Sequence, residues 1–112
     1  MTEFIDICGV SELSVGRART VMIAGRAIAL YHTTRGFFAS DNQCPHRGGP
    51  LGEGDLIGSE IICPWHLWGF DVENGVCTGN PEVGIVTHEV KIDRDRILVK
   101  LAPAREITSE LL

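Results

Sequence analysis

The hydrophobic pattern of the chain has the short period of strands almost throughout. "EFIDIC" (residues 3–8) is a β-forming run, and "SELSVG" (11–16) interrupts it as one helical turn or an irregular loop, with Ser11 in a capping position. "ARTVMIA" (18–24) and "AIALYHT" (27–33) flank Gly25-Arg26, which predicts a hairpin on a two-residue turn. "GFFAS" (36–40) comes after a turn at Thr34-Arg35-Gly36 and predicts a third antiparallel strand. From residue 41 to 59 glycine and proline displace the periodicity. "EIIC" (60–63) and "LWGFD" (67–71) read as short strands, and "ENG" (73–75) as a turn with Gly75 at positive φ. "GNPEVG" (79–84) is loop, and "THEVKID" (87–93), "RDR" and "ILVKLA" (97–102) form a last hairpin. Only "AREITSELL" (104–112) has helical character.

The pattern predicts an all-β, antiparallel barrel or sandwich. Residues 44–71 contribute two loops, with a short strand leading into the second. Loops projecting from a rigid β scaffold are a usual place for a site.

Composition narrows the picture. The chain has 112 residues, which predicts a single domain over 1–112. With 44% apolar and 22% charged residues, a packed core is expected and disorder is not. In so small a domain, a metal or cofactor that ties loops together adds stability. The formal charge is −5 and Lys and Arg are scattered without a basic run, which argues against nucleic acid and membrane as partners. An acidic chain suits a basic patch on another protein. The opening "MTEFIDICGVSEL" has no basic segment leading into an apolar stretch, so the expected location is cytoplasmic. There, Cys8, Cys44, Cys63 and Cys77 are expected to be metal ligands or buried thiols rather than disulfides.

The candidate chemistry lies in the glycine-rich segment and the short strands after it. "CPHRGGPL" (44–51) and "CPWHLWGF" (63–70) are two hooks, each opening with Cys-Pro and carrying a histidine close behind. Together they spell C-x-H-x16-C-x-x-H, with Cys44, His46, Cys63 and His66 as a complete set of four metal ligands. Pro45, Pro50 and Pro64 stiffen the loops, and Gly48, Gly49, Gly52 and Gly54 allow close backbone packing with amides aimed at sulfur. Two fillings fit: tetrahedral zinc, or a [2Fe–2S] cluster with two Cys on one iron and two His on the other. Structural zinc usually pairs C-x2-4-C with H-x3-5-H, one ligand type per hook. Here each hook carries one Cys and one His, which favours a dinuclear centre whose two irons differ.

"CPHRGGPL…CPWHLWGFD" resembles the signature of the Rieske iron–sulfur family, closely over about residues 40–75, and the strand pattern agrees over nearly the whole chain. The resemblance implies a fold of three small antiparallel sheets, with the cluster-binding part at about 41–82 and the two loops at its tip. It also implies a Rieske-type [2Fe–2S] cluster, one per chain, held by Cys44, His46, Cys63 and His66, with the histidines ligating through Nδ1.

Departures from the respiratory branch of that family sharpen the expectation. That branch carries a disulfide between its two loops, at positions occupied here by Gly49 and Trp65. It also places hydroxyls that donate to cluster sulfur where this chain has Trp68 and Phe70. Hydroxyl donors stabilise the electron-rich reduced state, so their loss predicts a potential low in the Rieske range.

The resemblance implies a non-catalytic, monomeric one-electron carrier between a flavin-dependent ferredoxin reductase and a terminal ring-hydroxylating oxygenase. The alternative is the small subunit of an assimilatory nitrite reductase, bound to its large subunit. A catalytic oxygenase subunit needs a second, larger domain with a mononuclear iron, and 112 residues leave no room for it. Arg47 is expected at the exposed tip, Trp65 as a cluster shield or partner contact, and Trp68 in core packing. Cys8 and Cys77 are expected as buried thiols, and His32 and His88 as ordinary strand residues.

Overall fold

The computed structural model describes residues 3–65 and 67–103. The helical character expected over 104–112 lies outside the described residues. The described chain forms β1 (Ile5–Gly9), a 3-10 turn (Val10–Glu12), β2 (Arg17–Ile23), β3 (Arg26–Thr33), β4 (Gly36–Asp41), a second 3-10 turn (Leu51–Glu53), β5 (Asp55–Ile57), β6 (Glu60–Ile62), β7 (Gly69–Asp71), β8 (Thr87–Asp93) and β9 (Arg96–Lys100). All pairing between strands is antiparallel among the described residues.

Six strands run in the order β1-β9-β8-β4-β3-β2, and β5-β6-β7 form a separate sheet. The six-stranded sheet is joined at its middle only by Ala39↔His88 and Ser40↔Thr87, so it falls into two three-stranded halves. With β5-β6-β7 these make the three small sheets that the family resemblance implied.

The hairpins keep the predicted order, with small shifts at the turns. The β2–β3 turn is Ala24-Gly25, one residue earlier than expected, because Arg26 already pairs with Ile23. Both turn residues have positive φ (50° and 79°), the geometry whose twist matches the flanking strands. The strand β5 was not foreseen, since only three residues alternate between glycine-rich stretches. It pairs with β6 across Gly58-Ser59, where Gly58 supplies a φ of 63°. The strand expected at 67–71 begins at Gly69, because Leu67 leaves the β region with a φ of 59°. Gly75 has the expected positive φ, 80°.

Strand β3 is buried on both faces, which single-sided alternation does not do. Ile28 and Leu30 point into a core with Cys8, Leu13, Ile23, Ala39, Ile97, Val99 and Leu101. Ala29 and Tyr31 point the other way, into a core with Leu51, Ile61, Phe70, Val72, Cys77, Ile85 and the hook cysteines Cys44 and Cys63. One strand is therefore the wall between the barrel core and the core beneath the hooks. Cys8 and Cys77 are buried free thiols, as expected, and burial pushes the Cys8 thiol up, which keeps it protonated.

A polar cluster locks the edge of this wall. The Arg26 guanidinium donates to Asp41 Oδ1 (3.1 Å) and to the Ala102 carbonyl (2.9 Å). His88 is more than the ordinary strand residue expected: its side chain is fully buried, its Nδ1 accepts the Ala102 N–H (2.9 Å) and its Nε2 lies 2.9 Å from Asp41 Oδ1. The Ala102 donor assigns the ring proton to Nε2, so His88 is neutral and donates to Asp41.

Protonating His88 at Nδ1 would set that proton against the Ala102 N–H. Burial lowers the His88 pKa from its ordinary value, while Asp41 opposes the shift. A depressed histidine pKa means the unfolded chain takes up the proton first. The stability contribution is complete above about pH 6.5 and is lost as pH falls below it. Thermal melts between pH 5 and 8 should show wild type losing stability on acidification relative to His88→Gln, whose amide keeps a donor and an acceptor. Parallel pH profiles for the two proteins would contradict this role.

Candidate metal centre

The first hook is a tight hairpin tip set on the end of β4. The Cys44 N–H donates to the Gly49 carbonyl (2.9 Å) and the Gly48 N–H to the Cys44 carbonyl (2.7 Å). Gln43 and Pro50 face each other across the neck, and the Leu51 N–H donates to the Asn42 carbonyl (2.7 Å). Gly48 closes the loop with a φ of 78°. Asn42 fastens this hairpin to the barrel: its Oδ1 accepts from the Gly52 N–H (2.7 Å) and the Thr20 hydroxyl (3.0 Å).

The second hook is the tip of the β6–β7 hairpin. It closes where the Cys63 N–H donates to the Trp68 carbonyl (2.7 Å). Leu67, at a φ of 59°, sits in the left-handed region, which for a residue with a Cβ costs about 1–2 kcal/mol. The sequence pattern assigns this position to a strand, and no local signal marks it as a turn.

The hooks meet face to face. Cys44 and Cys63 are both 1% exposed and lie in the same buried core, close enough for each thiol to feel the other's charge. Burial pushes the Cys63 thiol up, the Trp65 amide aimed at its sulfur pulls it down, and the adjacent Cys44 raises it. Two buried sulfurs side by side repel as anions, and a cationic centre relieves both repulsion and burial. Gly49 makes the approach possible, since a Cβ there would lie 2.6 Å from Cys63 Sγ and 3.2 Å from Trp65 Cβ. Positions 49 and 65 are thus apposed at a spacing close to that of a disulfide. Trp65 lies over bare Gly49 instead.

His46 is half-buried, with Nδ1 shut off from solvent. Its ring stacks on Trp68, with centroids 4.2 Å apart and planes 6° from parallel. The structure therefore brings Cys44, Cys63 and the His46 hook together, while His66 lies outside the described residues. A set of two thiolates with imidazole, an amide directed at sulfur and a glycine cradle fits a [2Fe–2S] group well.

Other expected residues fall around this centre. Arg47 is exposed at the tip of the first hook, as expected; Glu53 is exposed, and Asp55 is exposed on β5. Trp65 is 50% and Leu67 73% exposed, so both sides of position 66 present apolar surface. Trp68 is partly buried against the inner core, as expected, but its stack on His46 was not foreseen, because the partners belong to different hooks. Phe70 is fully buried in that core. His32 is a strand residue whose Nδ1 lies 2.8 Å from the Leu13 carbonyl and whose ring stacks on Phe37. Among the described residues no helix is long and apolar enough to cross a membrane.

Known proteins match this architecture along most of its length. The ferredoxin component of the naphthalene 1,2-dioxygenase system of Pseudomonas aeruginosa is 36% identical over 104 residues, covering 91% of this chain and 100% of that protein. The ferredoxin of carbazole 1,9a-dioxygenase from Nocardioides aromaticivorans IC177 superposes with a TM-score of 0.80 at 27% identity, over 88% of this chain and 97% of that one. A chain of the complex of reduced oxygenase and oxidized ferredoxin in carbazole 1,9a-dioxygenase gives a TM-score of 0.79 at 28% identity, over 88% and 97%. The model of the Rieske [2Fe-2S] domain matches residues 3–91, from the first strand through both hooks into β8, and the chain belongs to that family.

Proposed function

We propose that this protein is a one-electron carrier that takes electrons from a flavin-dependent reductase and delivers them to a terminal oxygenase. The observation that carries this reading is the full-length similarity to a dioxygenase ferredoxin component, joined to paired buried thiols at the tip of the fold. The same similarity favours the carrier over a nitrite reductase subunit. The chain transfers electrons and is not itself a catalyst. It works as one cytoplasmic monomeric domain, with the segment 41–82 holding the cluster.

Cys44 and Cys63 would hold one iron as thiolates, and His46 and His66 the other through imidazole nitrogen. The bound [2Fe–2S] cluster supplies reversible uptake of a single electron. The protein's own residues do the rest. Gly49 and the Trp65 amide make room for and polarise the Cys63 sulfur. Asn42 ties the first hook to β2, so the two hooks keep their spacing as charge changes. Exposed Trp65 and Leu67 offer apolar contact to the acceptor beside the candidate ligands. Reduction of the purified protein by a flavin reductase, coupled to turnover of a dioxygenase, tests the reading. A colourless zinc protein would refute it.

No hydroxyl stands at 68 or 70 to donate to cluster sulfur, so the midpoint potential should lie near −150 mV rather than toward +300 mV, at roughly the low end for Rieske centres. An EPR-monitored redox titration reads this directly, and a midpoint well above 0 mV would exclude it.

The ligand set makes two further demands. Cys63→Ser should lose the cluster and melt well below wild type, because metal-binding energy is folding energy. His46→Cys should retain a [2Fe–2S] centre at a lower potential, because thiolate adds negative charge. A red, stable Cys63→Ser protein, or an unchanged midpoint in His46→Cys, would remove the residue concerned from the ligand set.

Leu67 combines strain with exposure. Leu67→Gly should raise stability by about 1 kcal/mol in denaturant titrations by relieving the left-handed conformation. It should also raise the KM for the oxygenase as apolar contact is lost. A variant both more stable and unimpaired in transfer would show that Leu67 plays no part in docking.

A further inference from the structure

Trp68 belongs to both hooks at once. Its carbonyl accepts the Cys63 N–H at 2.7 Å and so closes the second hook. Its indole reaches across to the first hook and lies flat on the His46 ring, 4.2 Å between centroids and 6° between planes. The other side of the residue is anchored, since Trp68 packs against the core that holds Cys44, Cys63 and Phe70. A histidine ring turns readily about χ2, whose energy wells are broad. A flat partner fixed in the core removes that latitude and covers one face of the ring.

We propose that Trp68 is a positioning residue for His46, setting the plane of its imidazole and keeping water from that face, and thereby holding down the reduction potential of the site. The inference rests on His46 being a ligand. Its sign comes from charge. Two thiolates and two neutral imidazoles around a diferric [2Fe–2S] centre carry no net charge, and one added electron, supplied by the reductase, leaves one negative charge. Water stabilises that charge and an indole face does not, so the stack disfavours the reduced form. At this position the respiratory relatives carry a hydroxyl that stabilises the reduced state. Here the residue acts in the opposite sense, and through the histidine rather than the sulfur.

The test compares Trp68→Phe, which keeps a flat ring, with Trp68→Leu, which keeps apolar volume without one. Both are read by redox titration and EPR on the cluster-loaded protein. The expected result is a Trp68→Leu protein with a shifted EPR g-tensor and a reduced-to-oxidised ratio about tenfold higher at a fixed potential, equivalent to about 59 mV for one electron. Trp68→Phe should stay close to wild type. Wild-type spectra and midpoint in Trp68→Leu would overturn the proposal. So would loss of the cluster from Trp68→Phe, because Trp68 would then be a packing residue on which the loop depends. Pulsed EPR of the wild-type protein counts the nitrogen ligands independently. Fewer than two would refute the ligand assignment itself, whatever the Trp68 variants do.

Discussion

The double burial of β3 is the constraint on which the rest of the structure depends. Ile28 and Leu30 serve the barrel core, while Ala29 and Tyr31 serve the core beneath the hooks. A register slip of one residue would exchange the two sets and put Tyr31 where Leu30 belongs. Hydrogen bonding fixes the register further, because the Tyr31 hydroxyl lies 2.7 Å from the Ser40 hydroxyl of the neighbouring strand. The hooks therefore stand on a wall that cannot shift without unpacking both cores.

From that wall, position is passed outward through a few short-range contacts. Asn42 continues β4 and binds Gly52 and Thr20, so the first hook inherits the register of the barrel. The second hook inherits its position from β6, whose Ile61 lies in the same core as Tyr31. Where the hooks meet, side-chain volume is removed on one side of the contact and added on the other: Gly49 has no Cβ, and Trp65 lies over it. A covalent cross-link is replaced there by packing. The rigidity that an electron carrier needs, so that little reorganisation accompanies the change of charge, comes from this layering.

Much of this was legible in the sequence. The two Cys-Pro hooks, the three consecutive antiparallel strands and the final hairpin depend on local pattern, because alternation and turn chemistry act over a few residues. Less legible was β5, three residues long among glycines. Leu67 reads as strand because leucine carries no signal for positive φ, and tertiary packing of the hook overrides its preference. His88 looks like an ordinary strand histidine, since its partners Asp41 and Ala102 are 47 and 14 residues away along the chain.

The sequence by itself determined which donor atoms the protein can offer a metal, in what order, and on what kind of scaffold. It also determined the absence of hydroxyls at Trp68 and Phe70, and of cysteine at Gly49 and Trp65. The tertiary structure alone decided what those absences became. Gly49 became the gap that admits Cys63 Sγ, and Trp68 became the surface on which His46 rests. The reason is one of range. Donor identity and strand period are written within single residues and their neighbours, whereas an apposition between two loops exists only once β3 and its two cores have set the loops against each other.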